Sequence, residues 1–99
     1  MKKYGLLFAF SLIKSIEVKQ ISTTSAALSF TTISNVVSEI SYGPSSLELA
    51  TVTISKVPSR QHSLLISNLK PDTIYIYRLI LITSDGRTMH SDLKSFATK

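Results

Sequence analysis

The run LKPDTIYIYRLILIT, residues 69–83, decides the fold. From Ile74 to Thr83 nearly every residue is aliphatic, aromatic or β-branched, the types that fit a pleated surface. Alternation puts Tyr75, Tyr77, Leu79 and Leu81 on one face and Ile74, Ile76, Arg78, Ile80 and Ile82 on the other. Both faces are therefore largely apolar, as in a strand covered from two sides. Pro71 restricts φ in the approach. Asp85-Gly86 follows the run at once, and both residues accept the positive φ of a two-residue hairpin turn. The chain then returns as residues 88–98, which predicts an antiparallel neighbour.

Outward from this run the same pattern repeats in shorter pieces. Ile16, Val18 and Ile21 mark a first strand, with the offset at Ile21 signalling a bulge or its end. Ala26, Leu28 and Phe30 alternate with Ala27, Ser29 and Thr31, a half-buried second strand. Ile40 and Tyr42 continue the alternation until Gly43-Pro44-Ser45-Ser46 turns the chain. A looser strand pair follows from Leu49 to Ile54, broken at Pro58, and Leu64 and Ile66 alternate towards Leu69. Near the end Leu93 and Phe96 have opposite parity, so an inward position for both requires a bulge between them. No long helical period survives beyond the first dozen residues. Short strands with a turn roughly every eight to twelve residues predict an all-β antiparallel sandwich.

Leu69, Pro71, Thr73 and Tyr75 together resemble the L-x-P-x-T-x-Y motif of fibronectin type III domains. The resemblance extends over residues 12–99, through the segments 21–32, 38–43 (SEISYG), 62–66, Tyr77-Arg78 and 95–98 (SFAT). It is closest to bacterial and archaeal modules and to the N-terminal domain of purple acid phosphatases. It implies an immunoglobulin-like, seven-stranded sandwich in which the Tyr75 hydroxyl bonds back to upstream backbone. The family usually carries Trp where this chain has Phe30, which keeps most of the apolar bulk and loses the indole donor.

The chain has 99 residues, 43% of them hydrophobic, and no cysteine or tryptophan. That length gives one domain able to bury about two-thirds of its unfolded surface, with no room for a separate catalytic lobe. The absence of cysteine removes zinc knuckles, CxxC redox chemistry and thiol nucleophiles. The net charge of +5 is scattered, without the basic stripe and interleaved aromatics of a nucleic-acid binder. Residues 1–11 form an apolar extension in which Lys2-Lys3 precede the run YGLLFAF. This reads as a truncated signal-like segment, an extra strand or the frayed end of a preceding segment, and is too short to span a bilayer.

No reactive constellation emerges. His62 and His90 stand at no ligand spacing from an acidic residue and read as structural histidines. Asp72 and Asp85 sit in turns, where their side chains bond local backbone. There is no G-x-S-x-G elbow and none of the phosphatases' metal-binding motifs. The expectation is no catalytic site, no metal and no cofactor, hence not an enzyme.

Two binding features remain. Ile74, Ile76, Ile80 and Ile82, interrupted only by Arg78, form an outward row that is either covered in part by neighbouring strands or the apolar segment 4–10, or docked against a neighbouring domain, a partner protein or a second copy. Asp85, Gly86 and Arg87 occupy the loop where some fibronectin modules carry an Arg-Gly-Asp attachment tripeptide, here in the order Asp-Gly-Arg. The reading is a non-catalytic spacer or docking module of a larger extracellular or cell-surface protein, that setting being implied by the resemblance. The alternatives are recognition of carbohydrate or a cell-surface protein by the end loops, and an accessory domain of a hydrolase.

Overall fold

Strand-forming residues dominate from Ile13 onward, and the computed structural model, which describes residues 12–99, is built from six antiparallel strands. They are β1 (Ile13–Ser22), β2 (Ser25–Gly43), β3 (Ala50–Ile66), β4 (Ile74–Ile82), β5 (Thr88–His90) and β6 (Lys94–Ala97). The reading of residues 1–11 as an apolar extension lies outside the described residues.

The length of β2 explains the architecture. Its 19 residues would extend about 60 Å at the rise of a β-strand, whereas the longest dimension of the molecule is 42 Å. The strand must bend, and the register shows where. From Thr31 to Val36, β2 advances five residues while β3 moves only two, from Gln61 to Ser59. From Ser59 to Ser55, β3 then advances four while β2 moves two, from Val36 to Ser38. Both strands thus fold over together. The first half of β2 pairs with β1 and the end of β3; its second half pairs with β4 and the start of β3. Two layers result, the hallmark of a sandwich.

This bend corrects one expectation. Pro58 does not break the strand, because β3 runs through it. Pro58 lies in the part of β3 that has no residue-for-residue partner, where a missing N–H costs no ladder bond. A second correction concerns strand number, six rather than seven. Two strands run through both layers, and the return strand is divided into β5 and β6.

That division is a bulge. Ile80 pairs with His90 and Tyr77 with Lys94, so Arg78 and Leu79 face three residues, Ser91, Asp92 and Leu93. Ser91 repairs the ladder. Its hydroxyl accepts the Leu79 N–H at 2.9 Å, and its own N–H donates to the Leu79 carbonyl at 2.9 Å. The bulge therefore includes Leu93 instead of following it, and Leu93 is exposed.

The core lies between the layers. Ala26, Leu28 and Phe30 meet Val36, Ile40, Tyr75, Tyr77, Leu79 and Leu81, with Ile66, Leu69 and Met89 completing the cluster. Each large apolar side chain buried here contributes about 1.5–3 kcal/mol. The 69–75 segment is locked to the C-terminus. The Lys70 N–H donates to the Tyr75 hydroxyl at 2.8 Å, the bond implied by the resemblance. The Thr98 hydroxyl donates to the Lys70 carbonyl at 2.6 Å, and the Thr73 N–H donates to Thr98 Oγ1 at 3.0 Å. Asn68 and Asp72 turn this loop with positive φ, a conformation these side chains tolerate best among non-glycine residues.

Candidate docking face

β4 occupies the middle of its layer, between β2 on one side and β5 and β6 on the other. Its inward residues Tyr75, Tyr77, Leu79 and Leu81 are all buried, as alternation requires. Burial raises the Tyr77 phenol above its ordinary pKa. The outward row is graded. Ile74 is 65% exposed, while Ile76, Arg78, Ile80 and Ile82 are half-buried.

The residues opposite this row define its surroundings, because directly paired positions share a face. On β2 they are Gly43, Ser41, Glu39 and Val37, facing Ile76, Arg78, Ile80 and Ile82. On the far side Ala97 faces Ile74, Ser95 faces Ile76, His90 faces Ile80 and Thr88 faces Ile82. The outer face of this layer is thus an isoleucine ridge with one arginine at its centre, its shoulders polar at Glu39, Ser41, His90, Thr88 and Ser95 and apolar at Val37, Gly43 and Ala97. Apolar centre and polar rim is the ordinary composition of a protein contact patch.

The loop from β4 to β5 is built differently from the two-residue turn expected. Thr83 N–H donates to the Arg87 carbonyl at 2.9 Å, and Gly86 N–H donates to the Thr83 carbonyl at 2.9 Å. Three residues, Ser84, Asp85 and Gly86, therefore form the turn, and of these only Gly86 has positive φ, +88°. This is the longer hairpin in which a single left-handed glycine restores the strand register. The Thr83 hydroxyl donates to the Asp85 carboxylate, and Arg87 Nε donates to Asp85 Oδ2 at 3.1 Å. The Thr83 bond, with Arg87 assisting, holds the Asp85 carboxyl below the usual carboxylate range. Asp85 and Arg87 consequently engage each other while both side chains stay exposed.

The two histidines part company. His90 is exposed on β5. His62 is 3% exposed and stacks on Phe30, its cross-strand partner, with ring centroids 4.4 Å apart and planes 7° from parallel. Its nitrogens meet Ser38 Oγ at 2.8 Å and Thr32 Oγ1 at 3.2 Å. Thr32 spends its proton on the Ser34 carbonyl at 2.8 Å, so Nε2 of His62 carries the proton and Nδ1 accepts from Ser38. Among the described residues no group of three or more His, Cys, Asp or Glu is gathered as a metal site.

Sequence reasoning passed over one surface. Ser15, Glu17, Ser29, Thr31, Gln61 and Ser63 border an open depression of about 700 Å³ on the layer containing β1. The signal was the row of hydroxyl side chains at outward parity. Two of them bond each other, Ser15 and Thr31 at 3.0 Å. The end loops, residues 44–49 and 83–87, carry no aromatic side chain on which a sugar ring could stack. No described helix is long and apolar enough to cross a membrane.

The sequence matches no protein-family model and no curated protein. Solved structures do match. The third fibronectin III domain of human KIAA0343 superposes with a TM-score of 0.63 and 15% identity, over 87% of this chain and 79% of that one. The chicken CNTN1 FN1–FN3 domains give 0.70 and 21%, over 88% of this chain and 30% of that one. Purple acid phosphatase PPD1 from yellow lupin gives 0.70 and 14%, over 89% of this chain and 19% of that one. The chain therefore has a fibronectin type III-like fold, and at these identities the likeness is one of fold alone.

Proposed function

We propose that the chain is a non-catalytic β-sandwich module, a docking domain or spacer of a larger extracellular or cell-surface protein, with the outer face of β4 as its contact surface. The observation that carries this reading is the row Ile74, Ile76, Ile80 and Ile82, whose end member is 65% exposed. An apolar row on a solvent-facing strand surface exceeds the scattered apolar residues of an ordinary exterior. Domains of this fold often serve as non-catalytic spacer or docking modules, which supports the same reading.

The test uses the full chain. A displayed library of short peptides is selected on it, and binders are re-measured on Ile76→Lys and Ile80→Lys, with circular dichroism to verify that both variants fold. Sedimentation velocity over a concentration range records any self-association. Binding or self-association lost in both folded variants supports the reading. A chain that stays monomeric and yields no binder sensitive to either substitution refutes it.

A further inference from the structure

We infer that the partner of this face is a protein segment presenting a carboxylate among aliphatic or aromatic side chains, and that Arg78 receives the carboxylate. This rests on the docking reading above and adds the chemistry of the occupant. Arg78 sits at the centre of the row, with Ile74 and Ile76 on one side and Ile80 and Ile82 on the other. Its Nε is buried and has no hydrogen-bond partner. The side-chain ion pairs among the described residues are Lys19–Glu17 and Arg87–Asp85, so neither Glu39 nor Asp92 neutralises it. Opposite Arg78 on β2 is Ser41, whose hydroxyl is already bonded to Thr51 at 2.7 Å. On the other flank the ladder is interrupted by the bulge at Ser91, Asp92 and Leu93.

These facts select among occupants. A wholly apolar partner would strip water from a guanidinium that has no anion, an unfavourable desolvation with nothing to offset it. A second copy docking by the same face about a two-fold axis would bring the two central arginines together, like charge against like. A carboxylate set between apolar side chains meets neither objection. It forms a charge-assisted, two-pronged bond with the guanidinium, while the isoleucines exclude water around it. An arginine ringed by apolar contacts is also a recurrent energetic centre of protein interfaces. The net charge of +5 favours approach of such a segment at long range.

The experiment takes the peptides selected above on the full chain. Their sequences are expected to be enriched in Asp or Glu flanked by Leu, Ile, Phe or Tyr. Arg78→Met, which preserves length and suits an apolar row, should weaken them about tenfold or more. Changing the peptide's Asp to Asn, or Glu to Gln, should weaken binding to the unaltered chain similarly, a readout independent of how the variant folds. Binders lost in Ile80→Lys but indifferent to both Arg78→Met and the amide exchange overturn the acidic partner and leave the docking face standing. Self-association through this face that survives Arg78→Met overturns it as well. Absence of any binder sensitive to the isoleucine substitutions sinks the docking reading and this inference together.

Discussion

His62 Nδ1 lies 2.8 Å from the Ser38 hydroxyl, a bond that ties β3 to β2 beside the place where both strands fold from one layer to the other. Thr32, on the opposite side of the β2 bend from Ser38, engages the second ring nitrogen. One imidazole thus spans the corner of the sandwich, braced by Phe30 beneath it. The arrangement suits the neutral ring, with Ser38 donating to Nδ1; a protonated ring would require that hydroxyl to rotate and accept instead.

A pH dependence follows. Burial lowers the His62 pKa below 6.5, opposed in part by a bond to the Ser59 backbone. Between the folded pKa and 6.5 the unfolded chain binds more protons than the folded one, so stability rises with pH in that window. The contribution is fully present above 6.5 and is lost as pH falls through the folded value. Urea midpoints should therefore drop on acidification through this range. In His62→Gln, which carries no titrating ring, that part of the slope should vanish. An unchanged slope would assign the pH dependence to other groups.

The Tyr75 hydroxyl and the Thr98 hydroxyl hold opposite ends of one residue, the N–H and the carbonyl of Lys70. Tyr75→Phe should cost about 1–3 kcal/mol by orphaning the Lys70 N–H, and Thr98→Val a similar amount. Because both act through Lys70, the double variant should lose less than the sum of the two. Urea unfolding of the four proteins closes the cycle, and strict additivity would show that the two bonds are independent.

The glycines at the two ends of the β2–β4 layer behave oppositely. A Cβ on Gly43 would overlap the backbone carbonyl of Glu48, where the turn after β2 folds back on itself. Gly43→Ala should cost about 3 kcal/mol or more, since backbone and not a side chain must move. Gly86 has open space around it and only its positive φ to defend. Gly86→Ala should cost about 1 kcal/mol. Thermal unfolding of both variants checks the order, and a Gly43→Ala protein as stable as Gly86→Ala would contradict it.

Legibility in the sequence followed the range of the interactions. Tyr75 to Leu81 could be read from alternation because a strand's two faces are set by parity alone. The 69–75 motif was legible because Pro71 and Tyr75 are specific to one local geometry. The corner of the sandwich was not, since several unpaired residues in each bending strand look, residue by residue, like a strand end followed by a turn. Pro58 sharpened that misreading. The hairpin at Asp85-Gly86 looked like a two-residue turn because the dipeptide suits one, and only the Thr83–Arg87 pairing decides between the lengths. On the candidate face the isoleucines could be read from parity, whereas the stranded Nε of Arg78 depends on what three separate strands bring beside it.

Among the described residues β3 pairs only with β2, so its outer side presents unpaired backbone along both layers. Lys56, Pro58 and Arg60 guard its middle, as charges and proline do on natural edges. The stretch from Ala50 to Ser55 has no such guard. It is uncharged, rich in β-branched residues and mostly exposed, the composition that pairs with other chains. Mild destabilisation in urea below the midpoint should therefore produce thioflavin-positive assembly through this stretch. Thr53 is exposed and stands opposite Glu39, so Thr53→Lys adds a gatekeeper beside a carboxylate. Its effect on stability should stay within about 0.5 kcal/mol, while light scattering should show assembly slowed or abolished. Assembly of Thr53→Lys at the rate of the unaltered chain would place the association elsewhere.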